Sequence, residues 1–478
     1  MSLETGSMDC LKSAVIAPLI KDVALHVDKD NLKNYRPISN LVFLSKLVER
    51  VVDARLQKHM TNNHLHMGNQ FGYKKYHSTE SLLVKIIDKL LISCDNNIPS
   101  VVLLLDLSAA FDTVDHDKLL SILKHEIGVS GMAYRWFESF LKDRTLRVKI
   151  GDSYSDVAEL LYGVAQGSVS GPRLFNIYGR SLYKYVEPTK FDIDGFADDH
   201  QLLKHFIPKL QTYALGEDIN LCLRRISEWM KNYFLCLNED KTKILVIAPP
   251  SIKKEILIGG IFINNNCMRF VDSAKNLGVI LDSELSFESQ VNKVVKSCFC
   301  ILRKLSSIKH FLSKDNLQSL TCSYIFSQID YCNSLYYKLN TTTLNKLQHV
   351  QNCAARLVSN RRIGAQLDDV FVECHWLKVR ERILYKMLLL VHNCLHQQAP
   401  NSLCDLIRYA ESDRLMKLRE TRVKSKYGDR CFSHAGPKLW NTLPYNIRSQ
   451  HKTDVFKKML KTYLMTKGDE FVAKIGMR

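Results

Sequence analysis

The sequence lacks the C-x-x-C pairs of a zinc ribbon and any regular cysteine spacing, although it carries 14 cysteines in 478 residues. They read as reduced intracellular thiols, not as a disulfide framework. An N-terminal apolar core with a cleavage site is missing, so nothing marks the chain for secretion. No apolar run approaches the roughly 18 to 20 residues that cross a bilayer, and the run at 101–105 is only as long as a strand. His392, Cys394 and His396 form the densest Cys and His group but have no matching second half, which favours ordinary core or surface side chains over a metal centre. Internal repeats and low-complexity linkers are missing too, so domain limits rest on changes of pattern.

What is present is an ordinary globular composition, 46% hydrophobic and 24% charged, with length enough for two or three packed domains. The 67 Lys and Arg against 49 Asp and Glu leave a formal charge of +18. That balance favours a polyanionic partner, nucleic acid first; the alternative is a basic protein that is simply soluble or binds acidic lipid. Up to about residue 92, short apolar runs alternate with helical ones such as 44–59 in a basic setting. From 101 to about 285, β-type runs at 101–107, 190–196 and 242–248 alternate with helical runs at 118–124 and 215–233, which predicts an α+β domain. Beyond 287 the spacing is helical, at 291–311, around Leu347, Val350, Ala354, Leu357 and Val358, and at 379–395. The polar stretch 401–430 is expected to be loose, and Gly436, Pro437 and residues 440–444 predict a compact turn before a terminal helix.

Two acidic features carry chemistry. A buried-type β run at 101–105 delivers Asp106 at its end, and Asp198-Asp199 follow the apolar segment ending at Phe196, as in a turn. Adjacent carboxylates repel one another, and a divalent cation offsets that charge; the hard-oxygen ion that fits is Mg²⁺, with Mn²⁺ as the alternative. Two such ions can activate an attacking hydroxyl and stabilise a leaving pyrophosphate. Taken alone, an Asp-Asp pair is an ordinary solvated turn.

The ordered set carries more weight. Asn34-Tyr35-Arg36-Pro37-Ile38-Ser39, then Gln70-Phe71-Gly72-Tyr73-Lys74-Lys75 with His77-Ser78-Thr79-Glu80, then the block 106–117 stand in order. They are followed by Gly163-Val164-Ala165-Gln166-Gly167-Ser168-Val169-Ser170-Gly171-Pro172, Phe196-Ala197-Asp198-Asp199, Leu237-Asn238-Glu239-Asp240-Lys241-Thr242-Lys243 and Asn276-Leu277-Gly278-Val279. In this order the motifs resemble those of non-LTR (LINE-type, jockey-like) retrotransposon reverse transcriptases over about residues 11–310. More loosely, His375-Trp376-Leu377 and Gly436-Pro437-Lys438-Leu439-Trp440-Asn441 resemble the tails of jockey-like elements.

The resemblance implies an RNA-directed DNA polymerase of right-hand, α+β architecture. Its parts would be a fingers region at 1–100, a palm with an antiparallel sheet at 101–285, a helical thumb at 286–365 and a helical C-terminal extension at 366–478. It implies an RNA template, a DNA primer or target and deoxynucleoside triphosphates as partners, and action in the nucleus. Asp106, Asp198 and Asp199 are carried over as the ligands of two Mg²⁺ ions. Phe111 corresponds to the ring beneath the sugar, or is a plain core aromatic. Gln166 and Gly167 correspond to the lining of the nascent base pair, or form a generic turn. Arg36 and Lys74 correspond to cations on the incoming triphosphate, or are solvated charges. Lys241 corresponds to a general acid for the departing pyrophosphate.

Several residues depart from the family pattern. Ala165 stands for the usual proline, Ser170 and Arg173 for apolar residues, Tyr76 for a glycine, and Gly179 interrupts a helix-like stretch. Slack there would favour the alternative reading, a decayed remnant that only binds RNA or an RNA-DNA hybrid. A telomerase-like host polymerase would need an added RNA-binding module, which the sequence does not suggest. The motifs begin close to Met1, which leads to the expectation that the chain extends primers without an endonuclease to make them.

Overall fold

The computed structural model describes residues 2–8, 11–20, 28, 30–108, 111–238, 241–253, 256, 261–263, 266–268, 270–410 and 416–477. Among the first hundred residues the principal elements are β1 (Ser13–Ile20), β2 (Tyr35–Leu41), α1 (Phe43–Asn62) and α2 (Thr79–Asp95). Ser78 starts α2 through a capping box: its hydroxyl accepts from the Ser81 amide while the Ser81 hydroxyl accepts from the Ser78 amide. Next come β3 (Ser100–Leu105), α3 (His116–His125), α4 (Gly131–Leu141), β4 (Arg144–Ile150), α5 (Gly171–Tyr178), β5 (Asp192–Phe196), β6 (Asp199–His205), α6 (Pro208–Asn232), β7 (Lys243–Ile247) and the hairpin of β8 (Ser273–Asn276) with β9 (Val279–Asp282). The rest is helical: α7 (Glu288–Ile308), α8 (Thr341–Ser359), α9 (Val379–Leu395), α10 (Phe432–Thr442) and α11 (Thr453–Lys474). The helix expected at 379–395 lies where its periodicity put it. The strand expected from 190 starts at Asp192, because Lys190 takes a left-handed φ of 58° that no strand accommodates.

Two sheets organise the first part of the chain. In one, β1 pairs antiparallel with β2 and parallel with β4. The other is wholly antiparallel in the order β7-β3-β6-β5. Strand side chains alternate between faces. Val101, Leu103 and Leu105 enter a core whose fully buried members lie between Met8 and Ile244, among them residues of α3 to α6. Val102 and Leu104 enter a different core, which begins at Phe71, includes α2 and continues through α7 to α11 as far as Met477.

Helix α2 joins these parts. Towards the sheet, Lys85 forms a buried ion pair with Asp194 at 2.5 Å and Lys89 reaches Asp192 at 2.6 Å, both on β5. Towards the C-terminal helices, Asp88 accepts from the Ser433 amide (2.9 Å) and hydroxyl (3.0 Å). Asp95 accepts from the Ser425 amide (2.6 Å) and hydroxyl (2.7 Å), and Glu80 from the Ser334 hydroxyl (2.7 Å). The helices after residue 366 are therefore wall, not appendage.

Two local expectations are corrected. The compact turn expected around Gly436 and Pro437 is helix α10, with Pro437 inside it. Proline removes a helix hydrogen bond, yet here Trp440 is fully buried and a Cβ on Gly436 would come within 2.9 Å of Val391, so close packing on α9 holds the helix. The stretch 401–430, expected to be loose, contains a short helix (Asn401–Cys404), a bridge from Tyr409 to Leu418 and the residues seated on Asp95; 411–415 lie outside the described residues.

Candidate active site

β3 ends at Leu105 and presents Asp106, while β5 and β6 meet in a two-residue turn, Ala197-Asp198, closed by the pair Phe196 and Asp199. Leu105 pairs with His200, so the register carries Asp106 alongside Asp199. One end of the antiparallel sheet thus gathers all three carboxylates expected from the sequence. Burial raises the Asp198 pKa, and Asp106 raises it further, against Arg36 and Lys241. Burial, then the charges of Asp198 and Asp106, push Asp199 up to about 6, against the pull of Lys241 and Lys275.

Oδ2 of Asp106 is enclosed and lacks a hydrogen bond, although the Lys241 ammonium lies 3.1 Å away as an ion pair. Among the described residues no three Asp, Glu, His or Cys side chains converge at metal-ligand distance. The donor chemistry nevertheless fits a hard divalent cation: oxygen ligands only, two carboxyls raised by burial and then by neighbouring negative charge, and an Asp106 oxygen that no hydrogen bond satisfies. Lys241 is ion-paired with that set, and Arg36 and Lys275 face it as well.

The other expected residues divide. Arg36, on β2, is close enough to Asp198 to pull its pKa down. Lys74 instead turns its ammonium onto the Met67 carbonyl, and burial lowers its pKa to about 8. Phe111 is half-buried and stacks on Phe175 of α5, ring centres 4.8 Å apart. The Gln166 amide donates to both oxygens of Asp112, at 2.9 and 3.0 Å. Gly167 has φ 118°, and a Cβ there would come within 2.7 Å of the Ser39 carbonyl oxygen, so glycine serves a close approach to β2. Glu239 and Asp240 of the Lys241 motif lie outside the described residues.

The departures from the family pattern have structural counterparts. Arg173 pairs with Asp53 of α1 at 2.5 Å, and Glu49 of α1 accepts from the amides of Val169 (2.7 Å) and Ser170 (3.2 Å), which anchors the loop that lacks its proline. Tyr76 has φ 65°, the left-handed conformation that a glycine adopts without strain. Gly179 marks the end of α5. Two contributors were missed in the sequence. Lys275 stands immediately before the Asn276 motif, which was its one signal, and Gln70 clasps the turn that carries Asp198.

Residues 27–281, more than half of the chain, match the family described as reverse transcriptase (RNA-dependent DNA polymerase). The chain belongs to the reverse transcriptase family. This reverse transcriptase is 27% identical over 351 residues to a probable RNA-directed DNA polymerase from transposon BS of Drosophila melanogaster, covering 70% of this chain and 37% of that protein. It is 26% identical over 359 residues to the RNA-directed DNA polymerase from mobile element jockey of Drosophila melanogaster, covering 73% and 38% respectively. Within the reverse transcriptases it is thus similar to the jockey-like, non-LTR type, and it spans well under half the length of these relatives. A solved apo telomerase from Candida tropicalis aligns with a TM-score of 0.40 and 13% identity over 57% of this reverse transcriptase and 54% of that chain. No helix among the described residues of the reverse transcriptase is long and apolar enough to cross a membrane.

Proposed function

We propose that this chain is the polymerase module of a jockey-like, non-LTR retrotransposon protein and adds deoxynucleotides to a primer 3′ end on an RNA template. The observation that carries the reading is the grouping of Asp106, Asp198 and Asp199 at one end of an antiparallel sheet, with Asp199 pushed up to about 6 by burial and then by its two acidic neighbours. In this reading residues 1–100 are fingers, 101–285 palm, 286–365 thumb and 366–478 an extension that completes the thumb-side core.

Asp106, Asp198 and Asp199 would hold Mg²⁺. When bound, two such ions supply a more acidic primer hydroxyl and charge neutralisation at the leaving pyrophosphate. Arg36 offsets negative charge beside Asp198, where the triphosphate would arrive. Lys241 is solvent-exposed and ion-paired with Asp106 at 3.1 Å, and would donate a proton to the leaving group once a bound cation takes over that carboxylate. The Phe111 ring supports the deoxyribose, and Gln166 and Gly167 shape the template side through the loop pinned to Asp112 and Ser39. A charge of +18 suits an RNA-DNA hybrid.

A second reading, a decayed remnant that only binds hybrid, is favoured by one observation: the three carboxylates do not converge as arranged, and Lys241 is paired with Asp106. Primer extension on a homopolymer RNA template separates the two. The polymerase extends with Mg²⁺ and stops in chelator; binding without any extension selects the remnant.

A further inference from the structure

We propose that Gln70 is a positioning residue of the catalytic turn: its amide group fixes the peptide of Ala197 and so aims the Asp198 carboxylate. The inference rests on the polymerase reading and names a residue outside the expected catalytic set.

The turn has a physical difficulty. Ala197 takes φ 58° without being glycine and is 6% exposed, and its N–H and C=O lie outside the strand ladder, which closes with the Phe196–Asp199 pair. Buried peptide groups need partners, or their full desolvation cost is felt. Gln70, itself 5% exposed, supplies both. Its Oε1 accepts from the Ala197 amide at 2.9 Å, and its Nε2 donates to the Ala197 carbonyl at 3.1 Å. The same Oε1 accepts from the Gly72 amide at 2.9 Å, which holds the glutamine in place. A Cβ on Gly72 would fall 2.5 Å from the Ala197 nitrogen, so glycine there is what lets the two backbones meet. Only a primary amide offers an acceptor and a donor side by side, matching a peptide edge. The residue after the clasped peptide is Asp198.

The docking of this segment does not depend on the side chain. The Phe71 amide donates to the Gly195 carbonyl at 2.7 Å and the Gly195 amide to the Asn69 carbonyl at 2.9 Å. Substitution of Gln70 should therefore leave the segment on the sheet while releasing the turn.

The test compares Gln70→Met, of similar length with neither polar group, and Gln70→Glu, which keeps the acceptor and loses the donor. Single-nucleotide extension is read with hydrogen exchange of peptides spanning 193–199 in the full chain. For Gln70→Met we expect kcat to fall roughly ten- to a hundredfold, the scale on which small misplacements act. The KM for nucleotide and the affinity for primer-template should stay within about threefold. Exchange at the turn should rise about tenfold or more in Gln70→Met and less in Gln70→Glu. A folded Gln70→Met chain with kcat within threefold of the parent overturns the proposal, as does a loss matched by a lower folded fraction. If the parent itself fails to extend primers, the polymerase reading falls instead; exchange then decides the clasp, and unchanged protection in Gln70→Met overturns it.

Discussion

The two faces of the antiparallel sheet that carries the acidic cluster are built differently. One face rests on a local core, complete by Ile244 and made of the helices that lie between the strands in sequence. The other rests on α2, and α2 in turn rests on helices that extend to Met477. A local core forms from contacts near in sequence, whereas the second closes loops of several hundred residues, with Asp88 meeting Ser433 at a separation of 345. The lesson is that changes in the tail reach the strands at second hand, through α2 and through the segment after β9, where Arg430 donates to the Leu285 carbonyl. Changes in the local core reach them directly.

The comparison can be tested from its largest expected effect downward. Asp198→Asn removes a carboxylate from the sheet end and touches neither core, so polymerisation should fall a thousandfold or more, about 4 kcal/mol of barrier, with melting and hybrid affinity unchanged. An Asp198→Asn chain that extends primers within a few-fold of the parent would refute the ligand assignment. Trp229 and Trp440 are fully buried, one in each core. Truncation of either to Ala should cost about 3 kcal/mol in denaturant titration, and Trp440→Ala should also loosen hydrogen exchange in β3. Separate melting of residues 286–478, with β3 still protected, would show the second face to be dispensable.

At the site, Phe111 belongs to the rim of the local core through its stack on Phe175. Phe111→Val should raise ribonucleotide over deoxynucleotide incorporation roughly ten- to a hundredfold, about 1.4 to 2.7 kcal/mol of discrimination, compared as kcat/KM ratios on one template. An unchanged ratio in an active variant would leave the ring with packing alone.

The smallest effects concern the α2 contacts and have opposite pH signs. Burial raises Asp88 above its ordinary value of 3.8, against hydrogen bonds from Ser433 and Phe432. Its contribution to stability is full below that value and lost as pH rises through the raised folded pKa. For Asp95, burial is outweighed by hydrogen bonds from Ser425, Lys424 and Gly428, and the pKa falls below 3.8. Its contribution is present above that value and lost as pH falls through the lowered one. Asp95→Asn should therefore cost about 1 to 2 kcal/mol at pH 7, whereas Asp88→Asn should stay within about 1 kcal/mol of the parent and flatten the decline above pH 4. Denaturant midpoints between pH 3 and 8 check both signs; equal slopes for the two variants would mean that the tail does not sit on α2 as described.

How much of this was legible in the sequence follows from what each feature depends on. Asp106 and Asp198 could be read because a hydrophobic β run that ends in a carboxylate is a local pattern, and so could the long helices. Lys74 could not, because its direction is set by the Met67 carbonyl and by burial, neither of which has a local signal. Gln166 was read as an amide waiting for a base, and the structure gives that amide to Asp112. The seats of Asp88 and Asp95 involve serines more than 300 residues away, Ser433 on α10 and Ser425 in the polar stretch before it, and no local pattern marks either. The turn expected at Pro437 became a helix because Trp440 and Gly436 pack on α9, a tertiary effect that outweighs local preference.

The dependence of α2 on the distant tail also sets an order of events on the ribosome. When β9 has emerged, both acidic strands and the local core are already made, yet Ser334, Ser425 and Ser433 do not exist. At bacterial-to-eukaryotic synthesis rates, roughly 10 to 30 s pass before Ser433 is added. Through that interval the tail-side face of α2 is wet, Asp88 and Asp95 are hydrated, and the strands are supported from one side. The two-sided support of the sheet then arrives late in translation, and a message truncated before α10 yields a chain with its acidic motifs intact and an apolar flank open to aggregation.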